Sequence, residues 1–392
     1  MRERLTEILE QIREAGNYRE LRYLKPVNAS RLIYEGHEYL NLCSNSYLSL
    51  HLHPDVMRAA KDAIDEYGAG TCSSRSVSGS IDLYARLEDE IASFKRYEKA
   101  LIFSNGYLAN IGIIATLAET HDVIFSDELN HSSIIDSTRL SRARKVIYRH
   151  LDIEDLEKKI RRESARTKTS KKFIITETVF SMDGDVAPLQ AILGLKEKYG
   201  LHVIVDEAHG TGVFGDNGRG VEELHGVSGL MDVQMGTFGK ALGSFGAFAL
   251  SDSLTIDYLI NRARTFMYTT ALPASALAAA GSALQLIRGN GSFKKELWEN
   301  IEYMRRGLLR LGFDLKQSEG PIVPIVVGED SKAIRMQKML LEKGIFLQAI
   351  RPPTVPSGTS RLRLTIVRGL TREDMNQALE ALEAAGRSVG II

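Results

Sequence analysis

The spacing of apolar positions changes along the chain, and each change marks an element. Leu5, Ile8, Leu9 and Ile12 recur at three- and four-residue steps among charges, which predicts an amphipathic helix within the first 20 residues and not an apolar targeting core. Residues 31–34 and 38–42, joined at Glu35-Gly36, read as a β-hairpin. Residues 54–67 and 82–96 carry helical periods, the first with Pro54 near its start. From residue 100 short apolar runs alternate with helical stretches. Strands are expected at 100–103, 122–126, 145–148, 172–179 and 201–205, and helices at 108–117, 131–140, 152–162 and 188–199. The basic segment 161–172 reads as a solvated connection. Two further short strands, 231–235 and 246–250, follow. This rhythm predicts an α/β fold with a mainly parallel sheet covered by helices on both faces.

Beyond residue 250 the pattern predicts helices at 252–262, 275–288 and 293–311. A strand at 321–327, a helix at 331–343, a strand at 345–349, an alternating run at 360–366 and a helix at 372–385 come after them. That tail reads as a smaller α/β domain, and the first 50 residues, which precede the strand–helix rhythm, are expected to pack with it. The expected divisions are therefore 1–50, 51–290 and 291–392; a length of 392 residues is itself more than one small core.

Composition narrows the partners. Hydrophobic residues make up 44% and charged residues 26%, as in a soluble globular protein. Lys+Arg and Asp+Glu are both 50, so nothing in the charge draws the chain to nucleic acid or an anionic membrane. The longest uncharged run, about 271–287, is rich in Ala, Ser and Gly and short for a bilayer span. Cys43 and Cys72 form no C-x-x-C motif and read as buried thiols of a cytoplasmic protein.

Candidate chemistry centres on Gly236-Thr237-Phe238-Gly239-Lys240-Ala241-Leu242-Gly243, between the last two short strands. One reading is a turn with a solvated lysine. The other is a lysine whose ammonium is desolvated, so that a free amine becomes available for a Schiff base with a carbonyl. It is not a nucleotide P-loop, since Gln234 stands at the first glycine position and Ala241 follows the lysine. Asp206 ends the apolar run 203–205 and needs a cationic or hydrogen-bonding partner there. A metal shared with His209 is one candidate, but no H-x-x-x-H, H-E-x-x-H or cysteine cluster completes it, and no metal is expected. A pyridinium nitrogen is the other. Pyridoxal phosphate (PLP) needs a lysine for its aldehyde and a carboxylate for its ring nitrogen. Its phosphate also needs amides and hydroxyls. Gly106, Ser181, Asp206 and Lys240 all lie at or just past predicted strand ends, where ligands of such sheets bind. The small-residue loop 68–79, with Arg75, reads either as a linker or as a channel wall.

The run Asp206-Glu207-Ala208-His209-Gly210-Thr211-Gly212 followed by Thr237-Phe238-Gly239-Lys240 resembles the α-oxoamine synthases, PLP-dependent enzymes of fold type I. The likeness continues through Asn45-Ser46-Tyr47-Leu48, Ser104-Asn105-Gly106-Tyr107-Leu108-Ala109-Asn110, His131, Glu177 to Asp185, Tyr268-Thr269-Thr270 and the stretch 351–363. It implies that Lys240 holds PLP and moves the proton, that Asp206 pairs with the ring nitrogen, and that His131 stacks on the ring. Ser181 and His209 would hydrogen-bond the ring oxygen. Gly106, Tyr107 and Thr237 would hold the phosphate, with Thr269 and Thr270 reaching the cofactor of a second subunit in a homodimer. Arg363 would take the amino-acid carboxylate, although Arg361 lies on the same strand face; Arg22, Asn45, His131 and Thr354 resemble substrate contacts. Each also has a plainer role: His131 as a helix cap, Ser181 as turn chemistry, Arg361 or Arg363 as a surface charge on an edge strand. The stretch 349–365 and Phe180-Ser181-Met182-Asp183-Gly184-Asp185 resemble the branch that condenses L-alanine with a pimeloyl thioester. Sister branches use glycine with acetyl or succinyl donors, or serine with palmitoyl. A non-catalytic subunit of the same fold would lack the lysine. Ser46 and Ser49 in the first loop, and Thr71-Cys72-Ser73-Ser74 in the second, depart from the family's usual residues where the acyl donor is expected to pass.

Overall fold

The computed structural model describes residues 1–14, 16, 18–167 and 169–392. Ala15 and Asn17, within the stretch read as an N-terminal helix and its exit, lie outside the described residues, as does Lys168 of the expected basic connection. The chain forms two compact units, Asn45–Trp298 and the paired segments Met1–Ser44 and Glu299–Ile392.

The larger unit is built on seven strands: β1 (Lys99–Phe103), β2 (Val123–Asp127), β3 (Arg144–Tyr148), β4 (Lys172–Glu177), β5 (His202–Asp206), β6 (Val233–Thr237) and β7 (Ala247–Ser251). Their order is β1-β7-β6-β5-β4-β2-β3. All neighbours are parallel except β7, which is antiparallel to both β1 and β6. Two reversals cancel, so β1 runs the same way as β6. The carboxyl ends of β1, β2, β4, β5 and β6 thus share one edge of the sheet. Ala247 is opposite Phe103 on one side and Thr237 on the other, which sets the ends of β1 and β6 level. Continuous apolar runs produce these strands because both faces are covered, and every residue of β2 and β7 is buried.

Two helices starting from that edge matter for the site, α1 (Gly106–Leu117) and α2 (Ser132–Leu140). Ile113 and Ile114 of α1 and Ile134 of α2 pack with Phe103, Ile124, Ile204, Val233 and Met235 in one core. The helix Ile153–Arg166 runs four residues past the expected end at 162. Leu156, Ile160 and Glu163 form its buried stripe, and the Glu163 carboxylate pairs with Arg144, which keeps the helix going into the segment read as a connection. The strand expected over 172–179 stops at Glu177, because Thr178 donates its amide to the Asp206 carbonyl and Val179 pairs with Val186 to begin a turn.

The smaller unit contains the expected hairpin, Arg31–Tyr34 with His37–Asn41. Lys25–Pro26 adds to one side, and Ile345–Phe346 pairs in parallel with the other. Its second sheet has Ser360–Thr365 between Ile322–Gly328 and Ala349–Ile350. All six residues of that central strand are buried despite its alternating sequence. The helix Arg372–Val389 opens with a capping box of Thr371 and Asp374, and Asp374 also takes Arg31 at 2.5 Å. The large unit begins at Asn45 rather than at residue 51, and Tyr47, Leu48 and Leu50 are buried. Among the described residues no helix is long and apolar enough to cross a membrane.

Candidate active site

At the carboxyl end of β5, Asp206 is 7% exposed and held by two donors. Asn110 Nδ2 reaches Oδ2 at 2.9 Å, and the Ala208 amide reaches Oδ1 at 2.9 Å. Asn110 comes from α1, one turn after Gly106, and its amide also donates to Ser133 Oγ at 2.8 Å. Ser133 Oγ lies 2.8 Å from His131 Nδ1. A buried chain of polar contacts thus joins the strand-end carboxylate to the imidazole at the start of α2. His131 also caps that helix, Nδ1 accepting the Ser133 amide at 3.2 Å, which is the plainer of the two roles read for it.

His131 is further fixed through Glu177 at the end of β4, whose Oε1 accepts the His131 amide at 2.7 Å. Burial, and then the charge of Asp206, push the Glu177 carboxyl well above the ordinary range. Burial pulls His131 below its usual value; Asp206 opposes the shift and Lys240 reinforces it. The ring is therefore neutral at pH 7, suited to lie flat against an aromatic group. Asn110, Ser133 and Glu177 had no role in the sequence reading. The available signal was a lone amide or acid within an apolar helix or strand, but the partner that explains each is distant in the chain.

The edge between β1 and β6 is shaped for an anion. Asn105 caps α1, accepting the Leu108 amide at 3.0 Å, and leaves the first-turn amides pointing outward. Thr237 Oγ1 is buried and has no hydrogen-bond partner. A Cβ on Gly106 would come within 2.9 Å of Thr237 Cγ2, so the backbone there approaches as only glycine permits. An unpartnered buried hydroxyl beside a helix N-terminus fits the phosphate of PLP, which satisfies what the chain leaves open. Tyr107, the next residue, hydrogen-bonds Asp136 of α2, and its ring meets His131 edge-on with centroids 6.4 Å apart.

Lys240 is half-buried, three residues past β6, and its charge reaches both His131 and Glu177. His209 is buried, with Nδ1 2.6 Å from the hydroxyl of Tyr47, and that hydroxyl lies 3.4 Å from Asn45 Oδ1. Ser181 begins the turn that follows Phe180, and its amide donates to Glu177. Thr269 is half-buried and Thr270 exposed; the Thr270 carbonyl accepts Ser104 Oγ at 3.3 Å. The small-residue loop is ordered around Arg75, which pairs with Glu88 and stacks 3.8 Å from the Tyr84 ring centroid. Arg75 is thereby committed to structure.

Three expected contacts, Arg22, Thr354 and Arg363, belong to the smaller unit, as does Arg361. Arg361 and Arg363 are 5% and 8% exposed on a central strand, so neither is a surface charge on an edge. Arg361 donates to Thr359 and Arg363 to Thr365 Oγ1 at 3.0 Å. Arg19 reaches Thr354 Oγ1 at 3.2 Å. Arg22 lies 5.5 Å from the Tyr34 ring centroid and 5.6 Å from that of Phe346. Burial pushes the Cys43 thiol up to about 11, even though Arg363 and Arg22 stand close enough to oppose it. Cys72 differs from its expectation: it is exposed, at φ 52° in the loop of small residues. Cys43 is half-buried, and at pH 8 a disulfide reagent is expected to titrate Cys72 rapidly and Cys43 more slowly. Two equally fast thiols would contradict this burial.

Residues 37–382 match the model of the aminotransferase class I and II family. The 8-amino-7-oxononanoate synthase of Geobacter sulfurreducens is 46% identical, over 98% of each chain. Among solved structures, a serine palmitoyltransferase from S. paucimobilis with bound PLP superposes with a TM-score of 0.93 at 32% identity, covering 99% of this chain and 98% of that one. An 8-amino-7-oxononanoate synthase from Francisella tularensis gives 0.76 at 29% identity, covering 90% and 99%.

Proposed function

Because the chain belongs to the aminotransferase class I and II family, we propose that it condenses L-alanine with a pimeloyl thioester to 8-amino-7-oxononanoate, a step of biotin synthesis, with release of carbon dioxide and the thiol. PLP, when bound, supplies an aldehyde that takes up an amine and a protonated ring that draws electrons from the carbon beside it. Lys240 would provide the anchoring amine and, as a free amine, take the proton from the alanine α-carbon. Asp206 keeps a proton on the ring nitrogen, its carboxylate oriented by Asn110 and the Ala208 amide. His131 would stack on the ring face and guide the incoming acyl carbonyl. Ser181 and His209 hold the ring oxygen, and Gly106, Tyr107 and Thr237 hold the phosphate. A bond then forms between the alanine α-carbon and the thioester carbonyl carbon. The C–S bond would break and the sulfur would leave as a thiolate that takes its proton from solvent; the alanine carboxylate would leave as carbon dioxide. Lys240 returns a proton to the same carbon.

Arg363 is assigned the alanine carboxylate on the family resemblance, with Arg361 on the same strand face as the alternative. Arg22, Asn45 and Thr354 complete the substrate contacts. The working form is a cytoplasmic homodimer in which Thr269 and Thr270 reach the partner's phosphate site, by analogy with the family. The observation that carries the cofactor assignment is the pair of unsatisfied demands on one sheet edge, the Thr237 hydroxyl and the outward amides of α1, opposite the oriented carboxylate of Asp206. Alanine and pimeloyl rest on the full-length likeness to the Geobacter synthase. The higher structural similarity to a serine palmitoyltransferase keeps serine with a long acyl donor as the second reading. Product mass and kcat/KM across alanine, glycine and serine, each with acyl thioesters of graded length, decide between them. We expect alanine with pimeloyl to lead. A clear preference for serine with palmitoyl, or for glycine with acetyl or succinyl, would assign a sister reaction.

A further inference from the structure

We propose that His150, which the reaction does not use, is a positioning residue that locks the loop leading to His131 onto the turn carrying Ser181. It stands two residues past β3, and its two ring nitrogens face two carboxylates from separate segments. Nδ1 is 2.9 Å from Asp127 Oδ1, and Nε2 is 2.7 Å from Asp185 Oδ2. Both acids are buried, at 2% and 6% exposure. The Phe180 ring meets the imidazole edge-on at 4.5 Å.

Each carboxylate organises a piece of the site. Asp127 ends β2, and its two oxygens accept the amides of Leu129 at 2.9 Å and Leu151 at 2.9 Å. The Asn130 amide donates to its carbonyl at 3.3 Å, which leads the chain directly into His131. Asp185 closes the turn at the other end: its carbonyl accepts the Phe180 amide at 3.0 Å, and Gly184 donates to the Phe180 carbonyl at 2.8 Å. Ser181 lies inside that turn. One side chain therefore bridges the supports of the two groups assigned to the face and the oxygen of the ring.

An imidazole can donate from both nitrogens only as the cation. Burial alone would lower its pKa, but the hydrogen bonds and charges of Asp127 and Asp185 outweigh it and raise the value to about 10. At neutral pH one positive ring separates two buried negative groups. Without it the acids repel, and the segments they anchor part. The consequence for catalysis rests on the proposed roles of His131 and Ser181; the mechanical bridge does not.

Hydrogen exchange of the PLP-loaded protein tests the bridge without turnover, so the result stands whichever acyl transfer the protein performs. His150→Ala is expected to speed exchange in peptides covering 127–133 and 178–187 while leaving β6 protected. It should also shift the absorbance of bound PLP and lower kcat by about 10- to 100-fold, as small misplacements do. His150→Lys, which restores a cation, should recover part of each effect. Asp185→Asn keeps the Asp127 contact and remains informative if His150→Ala does not fold; it should loosen 178–187 alone. Unchanged exchange in 178–187 in either variant, or equal exchange throughout the sheet, would overturn the proposal.

Discussion

Replacing Lys240 with alanine is expected to lower turnover by at least about 10,000-fold, the upper end of what a positioned proton-transfer group contributes. In the proposed reaction the variant loses two functions at once, since the same amine would anchor the cofactor and move the α-proton. No neighbour can substitute. His131 Nδ1 is occupied in capping α2, and burial and the charge of Asp206 push the Glu177 carboxyl upward, which weakens it as a base. Borohydride reduction of the parent protein followed by peptide mapping should find the label on the peptide containing Lys240. After dialysis the alanine variant should retain no reducible adduct. Label on another lysine, or turnover within tenfold of the parent, would remove Lys240 from its role.

Asp206→Asn is expected to bind PLP and still lose about 100- to 1,000-fold in kcat, the range seen when a preorganised electrostatic partner is deleted. An amide cannot stabilise a proton on the ring nitrogen. The local structure adds a second penalty. Both Asp206 oxygens accept from donors, Asn110 Nδ2 and the Ala208 amide. An asparagine there must point its own NH2 at one of them, whichever way it is flipped. The resulting donor–donor confrontation should cost about 1–3 kcal/mol of stability, visible as a lower Tm. Turnover near the parent's at saturating PLP would show that the ring is not activated through this carboxylate.

The sequence made some parts of this site legible because their chemistry is local. A lysine among glycines between two apolar strands, an aspartate closing an apolar run and Asn105-Gly106 after a third strand each announce a strand end, and strand ends converge in parallel sheets. Asn110 is different. Within Leu108-Ala109-Asn110-Ile111-Gly112 it reads as an interruption, and only the approach of β5 turns it into a ligand of Asp206. His150 was silent for the same reason, since its two partners lie 23 and 35 residues away. Arg361 and Arg363 could not be separated by pattern, because residues two apart on a strand share a face; burial removes the edge-strand reading for both. The helix 153–166 outran its expected end because Glu163, charged in the sequence, is buried against Arg144.

The way the chain is divided between its two units has a consequence for the order of folding. Every strand of the seven-stranded sheet lies within Asn45–Trp298, so the large unit can close using one continuous stretch. The smaller unit must pair Leu40 with Ile345, a contact that spans most of the chain and carries the larger loop-closure entropy. Contact-order arguments then have the large unit forming first during synthesis. Until Ile345 emerges, the hairpin of Arg31–Tyr34 and His37–Asn41 presents an open strand edge at Leu40 and Asn41. That edge is open to pairing with a wrong partner on the ribosome.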